Sequence, residues 1–263
     1  MILFNSDLDN TLIYSHKREM NEEKSCVEIY QQREVSFMSN TSLKLLHKLN
    51  QNILFVPTTT RTREQYERIN FGIGIPKYAL VCNGGILLVD GIMDKEWYEE
   101  SIDQIKECKT QLQYAIEILE KDVNRCFEIR FIDDLFIFTK SDNPQMTIDY
   151  LSTYLDLALV DIFQIGIKVY VIPKKLTKGN AVLRLKKKLK ADKVIVAGDS
   201  EFDLSMFQVA DLAFAPKQLI TRMDMEQSNG KNQCSNIIVH EGGQLFSDAI
   251  LKYIMKHEIN NNQ

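Results

Sequence analysis

The sequence predicts an α/β protein: a parallel sheet covered on both faces, with an α+β domain inserted into it. Three observations carry this. Short apolar runs recur with helix-patterned stretches between them, as expected for strands buried on both faces. Each run ends in polar or turn-forming residues. Between about residues 86 and 172 the rhythm changes to helix, strand, strand, helix, strand, strand, a twofold repeat of one αββ unit.

In chain order, residues 2–5 form the first apolar run, followed at once by the polar cluster 6–11. Residues 14–40 are a long link. Their charged start (His16, Lys17, Arg18, Glu19) and apolar alternation around 27–29 and 35–37 predict a flap hairpin near the strand end. Leu43, Leu46 and Leu49 sit at helical spacing in 41–49. The run 53–57 ends in Thr58, Thr59, Thr60 and Arg61, and 79–82 ends in Asn83, Gly84 and Gly85. Asp90 and Gly91 form a hairpin signal.

In the insert, 96–121 reads as one long helix with Ile102, Ile105, Leu112, Ile116 and Leu119 as its apolar positions. Strands at 126–132 and 135–139 join at Asp133 and Asp134, which a turn explains fully. A helix at 145–157 and a hairpin of 160–165 with 168–172 across Gly166 complete the repeat. Trp97 and Tyr98, at the start of the first helix, are read as packing residues.

Back in the core, 179–190 is a helix with Val182, Leu185 and Leu189 on one stripe. Its cations lie mostly opposite, so a solvated face is expected rather than a nucleic-acid patch. The runs 194–197 and 212–215 end in Gly198, Asp199, Ser200 and in Pro216. The tail 258–263 is read as frayed. The domain expectation is a core of 1–85 and 173–263 with an insert of 86–172.

Among 263 residues, 32 Lys and Arg stand against 36 Asp and Glu, a formal net charge of −4. A broad electrostatic grip on nucleic acid or anionic lipid needs a basic excess, so neither is expected as a partner. The five cysteines (Cys26, Cys82, Cys108, Cys126, Cys234) are scattered, with no C-x-x-C pair, which fits inert, buried, reduced thiols in the cytoplasm. The opening MILFNSDLDN meets acidic residues too soon for a secretory signal, and no run approaches the roughly 20 apolar residues of a membrane span. The oligomeric state is left open.

Ligands of parallel sheets bind beyond the carboxyl ends of the strands, and the polar residues above all fall there. Asp7 and Asp9 follow the first strand, and Asp199 and Asp203 follow the run 194–197. Converging carboxylates repel unless a hard divalent cation joins them, and Mg²⁺ is the expected ion. His16, His47, His240 and His257 lack ligand spacing, which disfavours zinc. Opposite the acids stand the hydroxyls of Thr58 and Thr59 and the ammonium of Lys178 at a helix start, donors suited to a tetrahedral dianion. Such a set has the parts for phosphoryl transfer through an aspartyl-phosphate.

Asp7-Leu-Asp-Asn-Thr11, a threonine closing the second run, a lysine ahead of a helix, and Gly198-Asp-Ser-Glu-Phe-Asp203 occur in the order shown by haloacid dehalogenase-like phosphatases, which the chain resembles over nearly its whole length. The resemblance implies a Rossmann-like core. Its insert is similar to the large cap of the subgroup holding Cof-type, sucrose-phosphate and mannosyl-3-phosphoglycerate phosphatases and phosphomannomutases.

The resemblance further implies that Asp7 attacks phosphorus and that Asp9 protonates the leaving oxygen and then activates water. Thr59 and Lys178 would hold the phosphoryl group. Mg²⁺ would bind Asp7, the Asp9 backbone carbonyl and Asp199, with Asp203 as a ligand or as support behind the ligands. Asn83, Gly84 and Gly85 would form the hinge to the cap, and Arg61 or Arg63 could meet an anionic substrate arm, a salt bridge being an equal alternative for both arginines.

Two departures stand out: Thr59-Thr60-Arg61 replaces the family's common Thr-Gly-Arg, and Phe202 stands where Asn often precedes the second Asp. The expected activity is hydrolysis of a small soluble phosphate ester, that of a sugar or polyol. The alternatives are a phosphomutase or phosphotransferase using the same intermediate, and a non-catalytic module that binds phosphorylated ligands.

Overall fold

The structure, a computed structural model, describes residues 1–20, 22–226 and 236–259. The chain divides into two compact units, Met1–Met93 with Lys178–Gln263, and Asp94–Thr177.

The first unit is built on a five-stranded, wholly parallel sheet. Its strands lie in the order Ile237–His240, Leu212–Pro216, Lys193–Ala197, Ile2–Ser6 and Leu54–Pro57. The central strands read as continuous apolar runs because both faces are covered, and Leu3, Phe4, Phe55, Val56, Val194, Ile195 and Val196 are buried. Each such side chain contributes about 1.5–3 kcal/mol by leaving water. The register aligns Ser6 with Ala197 on one side and with Pro57 on the other, so three strands end at one level. The backbone amides of Asp7 and Thr58 extend this ladder one step, to Ala197 O (2.9 Å) and Ser6 O (2.8 Å).

The run expected at 79–82 is a strand, Tyr78–Val81, but it belongs to a different sheet. It pairs antiparallel with Ile86–Val89, which pairs in turn with Ile92–Met93 across the left-handed Asp90 and Gly91. It lies beside Leu54–Pro57 and is linked there by the parallel bridge of Thr58 with Leu80. The fifth strand of the parallel sheet, Ile237–His240, was not read from the sequence. Because Ile86–Met93 folds back on Tyr78–Val81, the crossing to the second unit lies at Met93 and Asp94, and the return at Thr177 and Lys178.

Asn83, Gly84 and Gly85 are therefore not at that crossing. They form a tight turn in which Cys82 and Asn83 take left-handed φ values of 52° and 57°. The turn braces the neighbouring loop: Cys82 N donates to Arg61 O (2.8 Å) and Asn83 N to Thr59 O (3.0 Å).

The flap expected in 14–40 is a hairpin of Lys24–Tyr30 and Arg33–Ser39, turning at Gln31 and Gln32. The helix Asn40–Leu49 starts at the Ser39 cap, whose hydroxyl accepts from Ser42 N, and it packs against Phe246–Ile254. Met255–Ile259 continues from that last helix, and Glu258 pairs with Lys193 at 2.6 Å, so the expected fraying does not reach these residues; the rest of the predicted tail and Cys234 lie outside the described residues.

In the second unit, the antiparallel sheet runs Val160–Ile165, Lys168–Pro173, Phe136–Lys140 and Arg130–Ile132. Helices Lys109–Glu120 and Pro144–Tyr154 bury Leu112, Ala115, Leu119 and Leu151 with Ile137, Val169 and Val171 of the sheet. The single helix expected at 96–121 is two, Lys95–Gln104 and Lys109–Glu120, parted at Ile105 by a short 3₁₀ turn. No Gly or Pro marks this break, and the buried stripe Trp97, Ser101, Ile105, Cys108, Leu112 continues through it. The break therefore re-aims the helix without interrupting its apolar face. Asp133 and Asp134 are a left-handed hairpin turn, as expected.

Cys26, Cys108 and Cys126 are free thiols, and Cys82 is buried, but Cys126 is exposed, against the expectation of burial. Among the described residues no helix is long and apolar enough to cross a membrane.

Candidate active site

Three strand ends and one helix start meet at the carboxyl edge of the parallel sheet. Asp7 follows the first strand, and the helix Lys178–Leu189 delivers Lys178 from its first turn. Lys178 is buried with an exposure of only 1%, an environment a cation tolerates only beside paired anions. Its Nζ donates to Asp7 Oδ1 and to Asp203 Oδ1, both at 2.6 Å.

Two glycines allow this approach. A Cβ on Gly179 would stand 2.1 Å from Ser205 O, and one on Gly198 would stand 2.3 Å from Asp203 Cβ and Cγ. Without Gly198 the Asp203 carboxylate could not fold back over its own loop.

That loop orients Asp203 without an asparagine at position 202. Its Oδ2 accepts from Asp199 N, Ser200 N and Ser200 Oγ, each at 3.0 Å. Phe202 is instead buried. Both oxygens of Asp203 are thus engaged. Thr11, which lay inside the first motif but was given no role there, places its hydroxyl 3.5 Å from Asp7 Oδ2 and 3.4 Å from Asp199 Oδ1.

Asp7, Asp199 and Asp203 offer carboxylate oxygens that all lie within 4.8 Å of one another. Burial, opposed by Lys178 and reinforced by the Asp203, Asp199 and Asp9 charges, pushes the Asp7 carboxyl well above the ordinary range. Burial and the Asp203 charge push Asp199 up to about 7. Burial would lower the Lys178 ammonium, but the Asp203 and Asp7 carboxylates hold it above its usual value. Fully ionised, three carboxylates and one ammonium carry a formal −2, which a hard divalent cation with oxygen ligands would balance. The donor set fits such an ion.

The two candidate hydroxyls separate cleanly. Thr58 Oγ1 accepts from Asn5 Nδ2 (3.0 Å) and donates to Val56 O (3.1 Å), so it is spent on the core. Thr59 Oγ1 accepts from Arg61 N at 3.2 Å, which leaves its proton to give.

Asp9 does not supply one of the three clustered carboxylates. Its carboxylate is gripped by a two-pronged fork, Arg61 Nε to Oδ2 at 2.7 Å and Arg61 Nη2 to Oδ1 at 2.8 Å. Arg61 also donates through Nη1 to Glu28 Oε2 at 2.9 Å. Arg63 is elsewhere, in an exposed pair with Glu67 on its own helix.

Glu28 is the residue that sequence reasoning missed. The apolar alternation read around 27–29 does not carry through to burial, since Ile29 is 62% exposed and Glu28 is buried. The cause is a break in strand register on both sides of Glu28.

Residues 93–221 match the family described as haloacid dehalogenase-like hydrolase. A curated relative, phosphoglycolate phosphatase of Sulfurisphaera tokodaii, is 25% identical over 180 residues, covering 66% of this chain and 70% of its own. The sucrose-phosphatase from Synechocystis sp. PCC6803, solved with sucrose and phosphate, has a TM-score of 0.65 at 19% identity over 98% of both chains. A haloacid dehalogenase-like hydrolase from B. subtilis has a TM-score of 0.58 at 15% identity over 98% of this chain and 99% of its own. The two structures share this chain's fold, and the match over residues 93–221 and the phosphatase relative are likenesses to the haloacid dehalogenase-like hydrolases. Lys178, Asp199 and Asp203 lie inside the matched stretch, while Asp7, Asp9 and Thr59 precede it.

Proposed function

We propose that the protein is a Mg²⁺-dependent phosphomonoester hydrolase that works through an aspartyl-phosphate on Asp7. Its substrate is a small soluble phosphate ester of a sugar or polyol. The observation that carries this reading is the buried Lys178 bonded at 2.6 Å to both Asp7 and Asp203, inside a cluster of three carboxylates. A nucleophilic carboxylate, an ammonium and a hydroxyl with a proton to give are the donors and acceptor that a transferring phosphoryl group requires. The phosphatase relative and the sugar bound to the sucrose-phosphatase support the substrate class.

A carboxylate oxygen of Asp7 attacks phosphorus, and the ester P–O bond breaks. The leaving oxygen takes its proton from Asp9. Asp9, now a carboxylate, removes a proton from the water that attacks the phosphorus of the aspartyl-phosphate, which releases inorganic phosphate and frees Asp7. Lys178 Nζ and Thr59 Oγ1 hold the phosphoryl oxygens through both steps. Asp7 and Asp199, with the Asp9 backbone carbonyl, would hold Mg²⁺, and Asp203, which accepts from Lys178 and from its own loop, would support them from behind. Bound there, Mg²⁺ would offset the excess negative charge and polarise the phosphoryl group. The free thiols fit a reducing cytoplasm.

The test is phosphate release from a panel of sugar, polyol and aryl phosphates with Mg²⁺. Turnover that disappears in Asp7→Asn supports the reading; no release across the panel, or undiminished release by Asp7→Asn, refutes it. Free sugar as the product from a hexose 1-phosphate marks a hydrolase, and an isomerised phosphate a mutase.

A further inference from the structure

We infer that Glu28, from the flap hairpin, is a positioning residue for the proton transfer assigned to Asp9, acting through Arg61. The inference rests on the phosphatase reading above. Glu28 has no side-chain exposure, yet it carries a full carboxylate between two arginines. Its Oε2 accepts from Arg61 Nη1 at 2.9 Å and from Ser36 Oγ at 2.6 Å, and its Oε1 accepts from Arg68 Nε at 3.1 Å. Asp9, Arg61, Glu28 and Arg68 thus alternate in sign along one chain of contacts.

Two observations make this more than a buried ion pair. The strand register breaks between Cys26 and Glu28 and again between Glu28 and Ile29. A bulge of this kind re-aims a side chain, and here it turns a charge inward and leaves Ile29 in solvent. The second observation is how Arg61 is divided. Its Nε and Nη2 form a planar fork on Asp9, while Nη1 is fixed by Glu28 and, at 3.4 Å, by Gln65 O. A guanidinium held on its far edge presents its fork at one angle, so the Asp9 carboxylate points in one direction. A buried charge network adds little net stability over an apolar replacement, so fixing geometry is the better account of why a carboxylate stands here.

The experiment compares Glu28→Gln with wild type on aryl phosphates running from 4-nitrophenyl to unsubstituted phenyl, read as kcat/KM, which covers the steps through leaving-group departure. A good leaving group needs no proton and a poor one does. We expect Glu28→Gln to lower kcat/KM roughly tenfold or more on phenyl phosphate and much less on 4-nitrophenyl phosphate, by the general-acid share it weakens. Ser36→Ala, a milder change that loosens the same Glu28 oxygen, should show the same trend in smaller measure, and it carries the test where Glu28→Gln does not fold.

An equal loss on all esters, or no loss, overturns the positioning role. Asp9→Asn separates the two levels. If it shows the leaving-group dependence and the Glu28 and Ser36 variants do not, the positioning role alone is wrong. If Asp9→Asn loses activity uniformly, the acid assignment fails and the inference with it.

Discussion

The strand-end site of the first unit and the core of the second are built on opposite principles. Around Lys178, charges are buried against one another, with three carboxylates crowded within 4.8 Å and one ammonium between two of them. The core of the insert is an apolar contact between helices and one sheet face. Its buried acid, Asp122, is partnered by the Thr147 hydroxyl and by Asn124 rather than by a buried cation. The first region spends stability to hold charge ready for a ligand, and the second gathers stability from packing. Their responses to mutation and pH should therefore differ in kind.

The largest effect is expected from Lys178→Met. It leaves Asp7 and Asp203 without their shared counter-charge, so turnover should fall by about 10²–10³-fold or more. Urea unfolding at pH 8 without metal should show a loss of about 3–5 kcal/mol. The loss should shrink at pH 5, where the carboxyls that burial pushes upward take up protons. An equal loss at both pH values would show that the site is held by packing after all.

Ile137→Ala, in the core of the insert, should cost about 2–5 kcal/mol in the same assay. Its cost should be the same at pH 5 and pH 8, since no titratable group takes part. A pH-dependent cost here would erase the contrast between the regions.

Next in size is the pair of adjacent threonines. Thr59→Val should lower kcat by about 10²-fold with a melting temperature close to wild type. Thr58→Val should do the reverse, costing about 1–3 kcal/mol because Asn5 Nδ2 loses its acceptor, while kcat stays near wild type.

Asp199 sets the pH response. Its folded pKa of about 7 lies above the ordinary 3.8, so the fold favours the protonated form. Metal-free protein should accordingly lose stability as pH rises through about 7. Metal binding needs the ionised form, so the melting-point gain on adding Mg²⁺ should be larger at pH 8 than at pH 6. In Asp199→Asn the gain should be small at both. A gain that is larger at pH 6 would contradict the assignment of Asp199 to the ion.

The smallest effect belongs to Arg63→Ala, which breaks an exposed pair and should change stability by less than about 0.5 kcal/mol with unchanged kcat.

Much of the site was legible because its parts sit where strands stop. Asp7, Thr59 and Asp199 each follow a short apolar run that the parallel register brings to one level. Lys178 was legible from its place at a helix start, although its burial was not. The sequence misled where one pattern serves two structures. The run 79–82 looks like the other buried strands but pairs antiparallel, since a parallel and an antiparallel strand share the same apolar signature. The glycine pair after it looked like a hinge because glycine permits many turns, and this one braces the loop of Thr59 and Arg61.

By itself the sequence determined the class of fold, the αββ repeat of the insert, and the acids, hydroxyls and lysine that stand at the strand and helix ends, since periodicity and strand-end chemistry are local properties of the chain. Tertiary structure alone decided which threonine keeps a proton to give, how Asp203 is oriented beside Phe202, and that Glu28 faces inward to hold Arg61 on Asp9. Those depend on hydrogen bonds between residues far apart in sequence and on a break in strand register, neither of which leaves a local mark on the chain.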